Sequence, residues 1–217
     1  MCNGACVDTQ TDSENCGGCG LACGACTGGE CVTTLASDQY FPNGIAVDSS
    51  GVYWGESLND SLVLRVGLAG GAITTLVVGS SQAIWSLATN VDSVFWTAGT
   101  ENAKGVVMAQ PKAGGVPVTL ISEQNYESSY GGLAVSATDL YWAAGTNPQE
   151  AVMAMPLGGG APLTVASGQS AQQVAIDATS IYWTDIIGTT VMKAGGSGKS
   201  AGRSSGKSAD SRKGGPA

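Results

Sequence analysis

One phrase occurs four times along this chain, as GIAVDSSGVYWGE at 44–56, SLATNVDSVFWTA at 86–98, GLAVSATDLYWAA at 132–144 and QVAIDATSIYWTD at 173–185. Each copy is a short apolar run, a polar turn and an aromatic pair that ends in Trp. The tryptophans Trp54, Trp96, Trp142 and Trp183 are 42, 46 and 41 residues apart. A period of ~40–45 residues is that of propellers and solenoids, whose units cannot bury their hydrophobic faces alone and must stack.

The rest of each repeat completes the unit. After the aromatic pair come VLRVGLAGGAITTL at 63–76, VMAQPKAGGVPVTL at 107–120 and VMAMPLGGGAPLTV at 152–165, and a fourth copy begins VMKAGG at 191. Each is two strand-like runs around a Gly-Gly turn, where positive φ carries no steric cost. The first half is likewise two runs, around a turn of Asp, Ser, Asn or Thr. One repeat is therefore four antiparallel strands, a to d, the content of one propeller blade. VTTLASD at 32–38 matches the d strands of the other repeats and has no a, b or c before it. Pairing of 32–38 with 190–194 would close a ring of four blades; alternatively, the four blades belong to a larger ring. The fold class expected is all-β, an antiparallel propeller of about four blades behind a small disulfide-rich module. The divisions are 1–31 (Cys-rich module), 32–194 (propeller repeats) and 195–217 (a Gly/Ser/Lys tail expected to be disordered, since it has no large apolar residue to bury).

All seven cysteines, Cys2, Cys6, Cys16, Cys19, Cys23, Cys26 and Cys31, fall in the first segment. That density without an evident core reads as a disulfide framework made in an oxidising compartment, so the expected location is secreted or cell envelope. The odd count fits a piece whose missing sulfur partner lies upstream. Cys16-x-x-Cys19 and Cys23-x-x-Cys26 could form a four-thiolate zinc site, but only three residues separate the pairs, tighter than zinc ribbons. Disulfides are expected instead, with no metal and no cofactor.

Charge narrows the partners. Residues 1–194 hold four basic against sixteen acidic side chains, and 195–217 hold five basic against one acidic. An acidic body lacks the Lys and Arg that phosphate contacts require, so no nucleic-acid partner is expected. No apolar run approaches the ~20 residues of a membrane-spanning helix.

These residues resemble known families. Tyr182-Trp183-Thr184-Asp185 matches the YWTD motif of the β-propeller repeats found in the low-density-lipoprotein-receptor class; Phe95-Trp96-Thr97 matches it in part, and Tyr53-Trp54 and Tyr141-Trp142 keep the aromatic pair. IDATSIYWTD at 176–185 is similar to strings in repeat-bearing secreted proteins and lipoproteins of myxobacteria and related bacteria. Cys6-Val7-Asp8-Thr9 and Asn15-Cys16-Gly17-Gly18-Cys19-Gly20 resemble the Cys-rich module named after plant Stig1 proteins. The resemblances imply an extracytoplasmic propeller and identify folds more firmly than functions.

Catalytic signatures are sparse. The chain has no His, which removes the commonest general base and metal ligand. Residues 1–194 have no Gly-x-Ser-x-Gly nucleophile turn and no phosphate-binding Gly-rich loop before a helix. Asp48, Asp92, Asp139 and Asp177 lie in or beside the a–b turns without the alternating acids of a calcium loop, so turn chemistry is expected of them. Neighbours in a strand face opposite sides, so each aromatic pair is expected to pack between blades.

Binding is expected on the face where the d–a and b–c loops emerge. The d–a connections carry Tyr40 and Phe41, then Trp85, then Tyr126 and Tyr130, then Gln172 and Gln173; the b–c connections at 56–61, 98–105, 144–151 and 185–188 are polar and uneven. Variable loops with aromatic and amide side chains suit a glycan or protein partner at the cell surface. The expected function is noncatalytic binding, adhesion or scaffolding. The alternatives are a hydrolase or lyase with acids such as Glu56 and Asp185 at the ring axis, and an inactive fragment of a larger propeller.

Overall fold

A computed structural model describes residues 2, 4, 6–57, 61–78, 83–99, 105–124, 131–144 and 150–195. The chain is all-β, with no helix among the described residues. A two-stranded hairpin, β1 (Ala25–Thr27) and β2 (Glu30–Val32), ends the Cys-rich segment. Four antiparallel sheets follow, arranged as a four-blade propeller. The first is β3 (Pro42–Asp48), β4 (Gly51–Glu56), β5 (Leu62–Val66) and β6 (Thr74–Val78). The second is β7 (Ala83–Thr89), β8 (Ser93–Gly99), β9 (Gly105–Pro111) and β10 (Val118–Gln124). The third is β11 (Leu133–Val135), β12 (Asp139–Ala144), β13 (Ala151–Pro156) and β14 (Leu163–Ser167). The fourth has three strands, β15 (Ala171–Ile176), β16 (Ser180–Asp185) and β17 (Thr190–Gly195).

The turns form as their residues dictate. Gly70 and Gly71, Gly114 and Gly115, and Gly159 and Gly160 all have positive φ between strands c and d. In the a–b turns a side-chain oxygen accepts backbone N–H groups, as from Ser50 to Asp48, from Asp92 and Ser93 to Asn90, and from Thr179 and Ser180 to Asp177. This is the self-capping expected of Asx residues.

The blades interlock through the aromatic pairs. Trp96 packs toward the first blade with Tyr53, Val63, Ile84, Leu87 and Val94. Phe95 points the other way, joining Trp142, Leu133 and Leu140 of the third blade. Tyr141 then meets Trp183, Val174 and Ile181 of the fourth. Every Trp thus looks back to the preceding blade and every Tyr or Phe looks forward, as strand alternation requires. Trp54, having no blade behind it, is covered by Leu35 and Ala36.

Two expectations are corrected. Residues 33–38 form no strand, and among the described residues β17 pairs with β16 alone, so 32–38 does not complete the fourth sheet. Packing runs first to second, second to third and third to fourth; among the described residues no comparable strand contact returns from the fourth blade to the first. Leu35 and Ala36 go to the hydrophobic face of the first blade instead of to a ladder. The cysteines are also only partly paired. Cys2–Cys19 and Cys16–Cys26 are disulfides, while Cys6, Cys23 and Cys31 are free thiols. Cys6 is exposed, whereas Cys23 lies against Cys31, whose sulfur pushes its thiol up to about 11. Residues 196–217 of the expected disordered tail lie outside the described residues.

One junction carries a charge pair. Asp48 on the first blade accepts from Thr89 Oγ1 at 3.0 Å and from the Lys112 ammonium, both on the second. Lys112 also stands over the Tyr53 ring at 5.3 Å. Burial pushes the Asp48 carboxyl up, but hydrogen bonds from Lys112, Ser50 and Thr89 outweigh it and hold it well below the usual range. A carboxyl lowered by folding stabilises fully above its unfolded value of ~3.9 and loses that contribution as pH falls toward the folded value. Asp48→Asn is expected to cost about 1.5–3 kcal/mol at pH 7. In denaturation curves from pH 7 to pH 2 the gap to the parent should narrow below about pH 4. A gap that stays constant would mean the pair contributes no pH-linked stability.

Candidate functional site

The chain enters the first blade through a strained segment. Asp38 (φ 59) and Phe41 (φ 47) adopt the left-handed region without being glycine, which is unusual for a bulky side chain and persists only where surroundings over-determine it. Here Glu56 Oε1 accepts the Tyr40 N–H at 3.0 Å, and Gln39 Oε1 accepts the Trp54 indole N–H at 3.0 Å. Between these anchors the Tyr40 and Phe41 rings project into solvent. Beside them lies a groove of about 390 Å³ lined by Ala36, Gln39, Pro42, Asn43, Gly44, Ile45 and Trp54.

The other expected site residues divide. Trp85 is half-buried in β7, at a bulge between the Ile84–Ala98 and Ser86–Thr97 pairs. Gln172 and Gln173 are exposed and sit in the matching bulge of β15, between the Ala171–Asp185 and Val174–Trp183 pairs. Bulges re-aim side chains at sheet ends, and this places these three residues at the strand ends nearest the d–a connections. Tyr126 and Tyr130 lie outside the described residues, as do 58–60, 100–104 and 145–149 of the b–c connections. The structure brings Tyr40 and Phe41 together on the segment entering the first blade, with Trp85 on the second blade and Gln172 and Gln173 on the fourth.

Acid chemistry is dispersed. Glu56 and Asp185 are both buried at the ends of their b strands, on the first and fourth blades. Glu56 serves Tyr40, and Asp185 Oδ1 accepts the Gly188 N–H at 2.9 Å. Asp177 is held down at about 2 by hydrogen bonds from Tyr182 and Thr179. Among the described residues the cluster of metal-ligand types is Cys16, Cys23 and Cys31, with sulfurs within 4.8 Å of one another, and Cys16 is already in a disulfide.

Sequence reasoning missed the glutamines. Gln39 accepts from Trp54, and Gln169 Oε1 accepts from Trp183 at 3.4 Å. Their signal was a Ser-x-Gln before each blade, at 37–39, 80–82, 122–124 and 167–169. The Gln82 and Gln124 side chains lie outside the described residues.

No protein-family model and no curated protein sequence matches the chain. Among solved structures it is similar to the nidogen propeller in its complex with laminin, with TM-score 0.56 and 18% identity over 66% of this chain and 56% of that one. TolB from Acinetobacter baumannii matches with TM-score 0.60 and 11% identity over 78% and 47%. A catalytically inactive virginiamycin B lyase from Staphylococcus aureus, bound to quinupristin, matches with TM-score 0.54 and 12% identity over 74% and 54%. The chain spans about half the length of these proteins. Identities this low carry the fold alone.

Proposed function

We propose that the chain is a noncatalytic binding or scaffold module that works outside the cytoplasm and contacts a protein or glycan through its d–a loop face. The observation that carries this reading is the exposed Tyr40–Phe41 pair, held in a strained backbone beside an apolar groove. Aromatic anchors with fixed backbones lose little entropy on binding and dominate interface energies. Gln172 and Gln173 would supply polar contacts at the far end of the same face, and Trp85 lies on a blade between. The disulfides support an oxidising compartment, and the YWTD-like and Stig1-like motifs agree with it. The chain has no His, and among the described residues no helix is long and apolar enough to cross a membrane. The reading is in keeping with the nidogen propeller of similar fold, whose structure is that of a complex with laminin.

Glycan and peptide arrays probed with the parent and with a Tyr40→Ser/Phe41→Ser double variant test the reading. We expect a set of array ligands bound by the parent and weakened at least roughly tenfold in the variant, as for loss of a hot-spot anchor. Equal signals from both proteins would move the contact away from these rings.

A further inference from the structure

The two ends of the propeller are unlike each other, and each is half of an interface that the chain builds three times inside itself. We propose that the first-blade end of one copy docks on the fourth-blade end of a second copy, head to tail. Four aligned repeats show why. Ile45 of β3 corresponds to Leu87, Leu133 and Val174, all facing the preceding blade. Those three are 6%, 6% and 8% exposed, whereas Ile45 is 73% exposed. Val191 of β17 corresponds to Val63, Val107 and Val152, which face the next blade. Those three are 0% exposed, whereas Val191 is 78% exposed. The aromatic pair does not add to this exposure, because Trp54 is buried under Leu35 and Ala36 and Tyr182 is half-buried.

The two faces are complementary because their internal counterparts already pack on each other. Residues of the Val63 and Tyr53 type meet residues of the Leu87 and Trp96 type in one hydrophobic cluster. A second copy would bring Ile45 and Val47, both exposed, onto Val191 and Tyr182. Leu35 and Ala36 cover Trp54 but leave Ile45, Val47 and the 390 Å³ groove open. Such a contact joins different surfaces, so repeated copies close into a ring or extend as a filament according to the rotation per copy. It uses sheet faces and not the Tyr40 and Phe41 rings, and it shares with the ligand reading only the groove that borders both.

The test uses the full chain carrying Cys6→Ser and Cys31→Ser, so that the two exposed free thiols cannot cross-link copies, in sedimentation equilibrium across a wide concentration range. The parent is expected to form dimers or larger species. Ile45→Glu and Val191→Glu are each expected to be monomeric, since every contact needs both faces, and both positions are exposed enough for the variants to fold. Val91→Glu, at an exposed a–b turn, should assemble like the parent. An equimolar mixture of Ile45→Glu with Val191→Glu retains one intact face on each partner and should yield a 1:1 dimer. A parent that stays monomeric to its solubility limit, single variants that assemble like the parent, or a mixture that stays monomeric would each overturn the proposal.

Discussion

Trp142→Ala is expected to destabilise the protein by about 3–5 kcal/mol, the loss typical of a large aromatic removed from a core. Trp142 is fully buried, between the second and third blades. Its cluster joins Ala88, Phe95, Val107, Ala109 and Ile121 on one side to Leu133, Leu140 and Met155 on the other. These side chains come from strands of two sheets whose backbones are fixed by ladders, so the cavity cannot easily collapse. Trp54→Ala supplies the comparison, since Trp54 clusters with Leu64, Val66, Val52 and Leu62 of its own blade and with Leu35 and Ala36, not with a second sheet. Its loss should be clearly smaller. Urea denaturation of the three proteins measures both. Equal losses at the two positions, or a Trp142 variant as stable as the parent, would refute the assignment of these rings to the blade junctions.

Gly132→Ala is expected to cost about 1–3 kcal/mol, the range of an overpacked site, although it adds a single methyl group. A Cβ at Gly132 would stand 2.5 Å from the Val174 nitrogen and 2.6 Å from the Gln173 Cα. Both are backbone atoms of β15, so no side-chain rotation relieves the clash. The Gly132 N–H also donates to the Gln172 carbonyl at 2.7 Å, so the third and fourth blades must part for the methyl to enter. The damage should appear as faster amide exchange in β15 and β16 together with a lower Tm. Gly158→Ala is the control, because a Cβ there meets nothing within 4 Å, and it should fall within about ±0.5 kcal/mol. Protection in β15 unchanged by Gly132→Ala would mean that the close approach of the two strands does not hold the junction.

The repeats, the c–d glycine turns and the opposed faces of each aromatic pair were legible because they follow from local rules. Strand period sends Tyr53 and Trp54 to opposite sides whatever the neighbours are. Ring closure was not legible. VTTLASD has a d strand's composition, but pairing with 190–194 depends on the rotation accumulated across three blade junctions, and a short string does not encode that angle. In the structure Leu35 is drawn instead onto Trp54, a hydrophobic face with no blade to cover it. The thiols were misread for a similar reason. Cysteine density forecasts oxidation, yet the partners depend on how 2–31 folds, which leaves Cys6, Cys23 and Cys31 free. At the candidate site the exposed Tyr40 and Phe41 were visible as aromatics in a connection, but the positive φ at Phe41 was not, since Phe is a poor marker for that region. The Ser-x-Gln string carries little signal by itself, because two polar residues leave no hydrophobic periodicity.

The uniform back-and-front arrangement of the aromatic pairs bears on how such a chain can change in length. A blade duplicated between the second and third would present a Trp to the blade behind it and a Tyr or Phe to the blade ahead. Every existing junction would keep its chemistry, and one more junction of the same kind would be added. Stability in such an array grows by roughly equal nearest-neighbour increments. Gene duplication in whole-blade units is therefore nearly free of packing conflict here, while an insertion of half a blade would put like faces together. The segment around Leu35 packs on Trp54 and not on a blade junction, so such a duplication would leave it untouched.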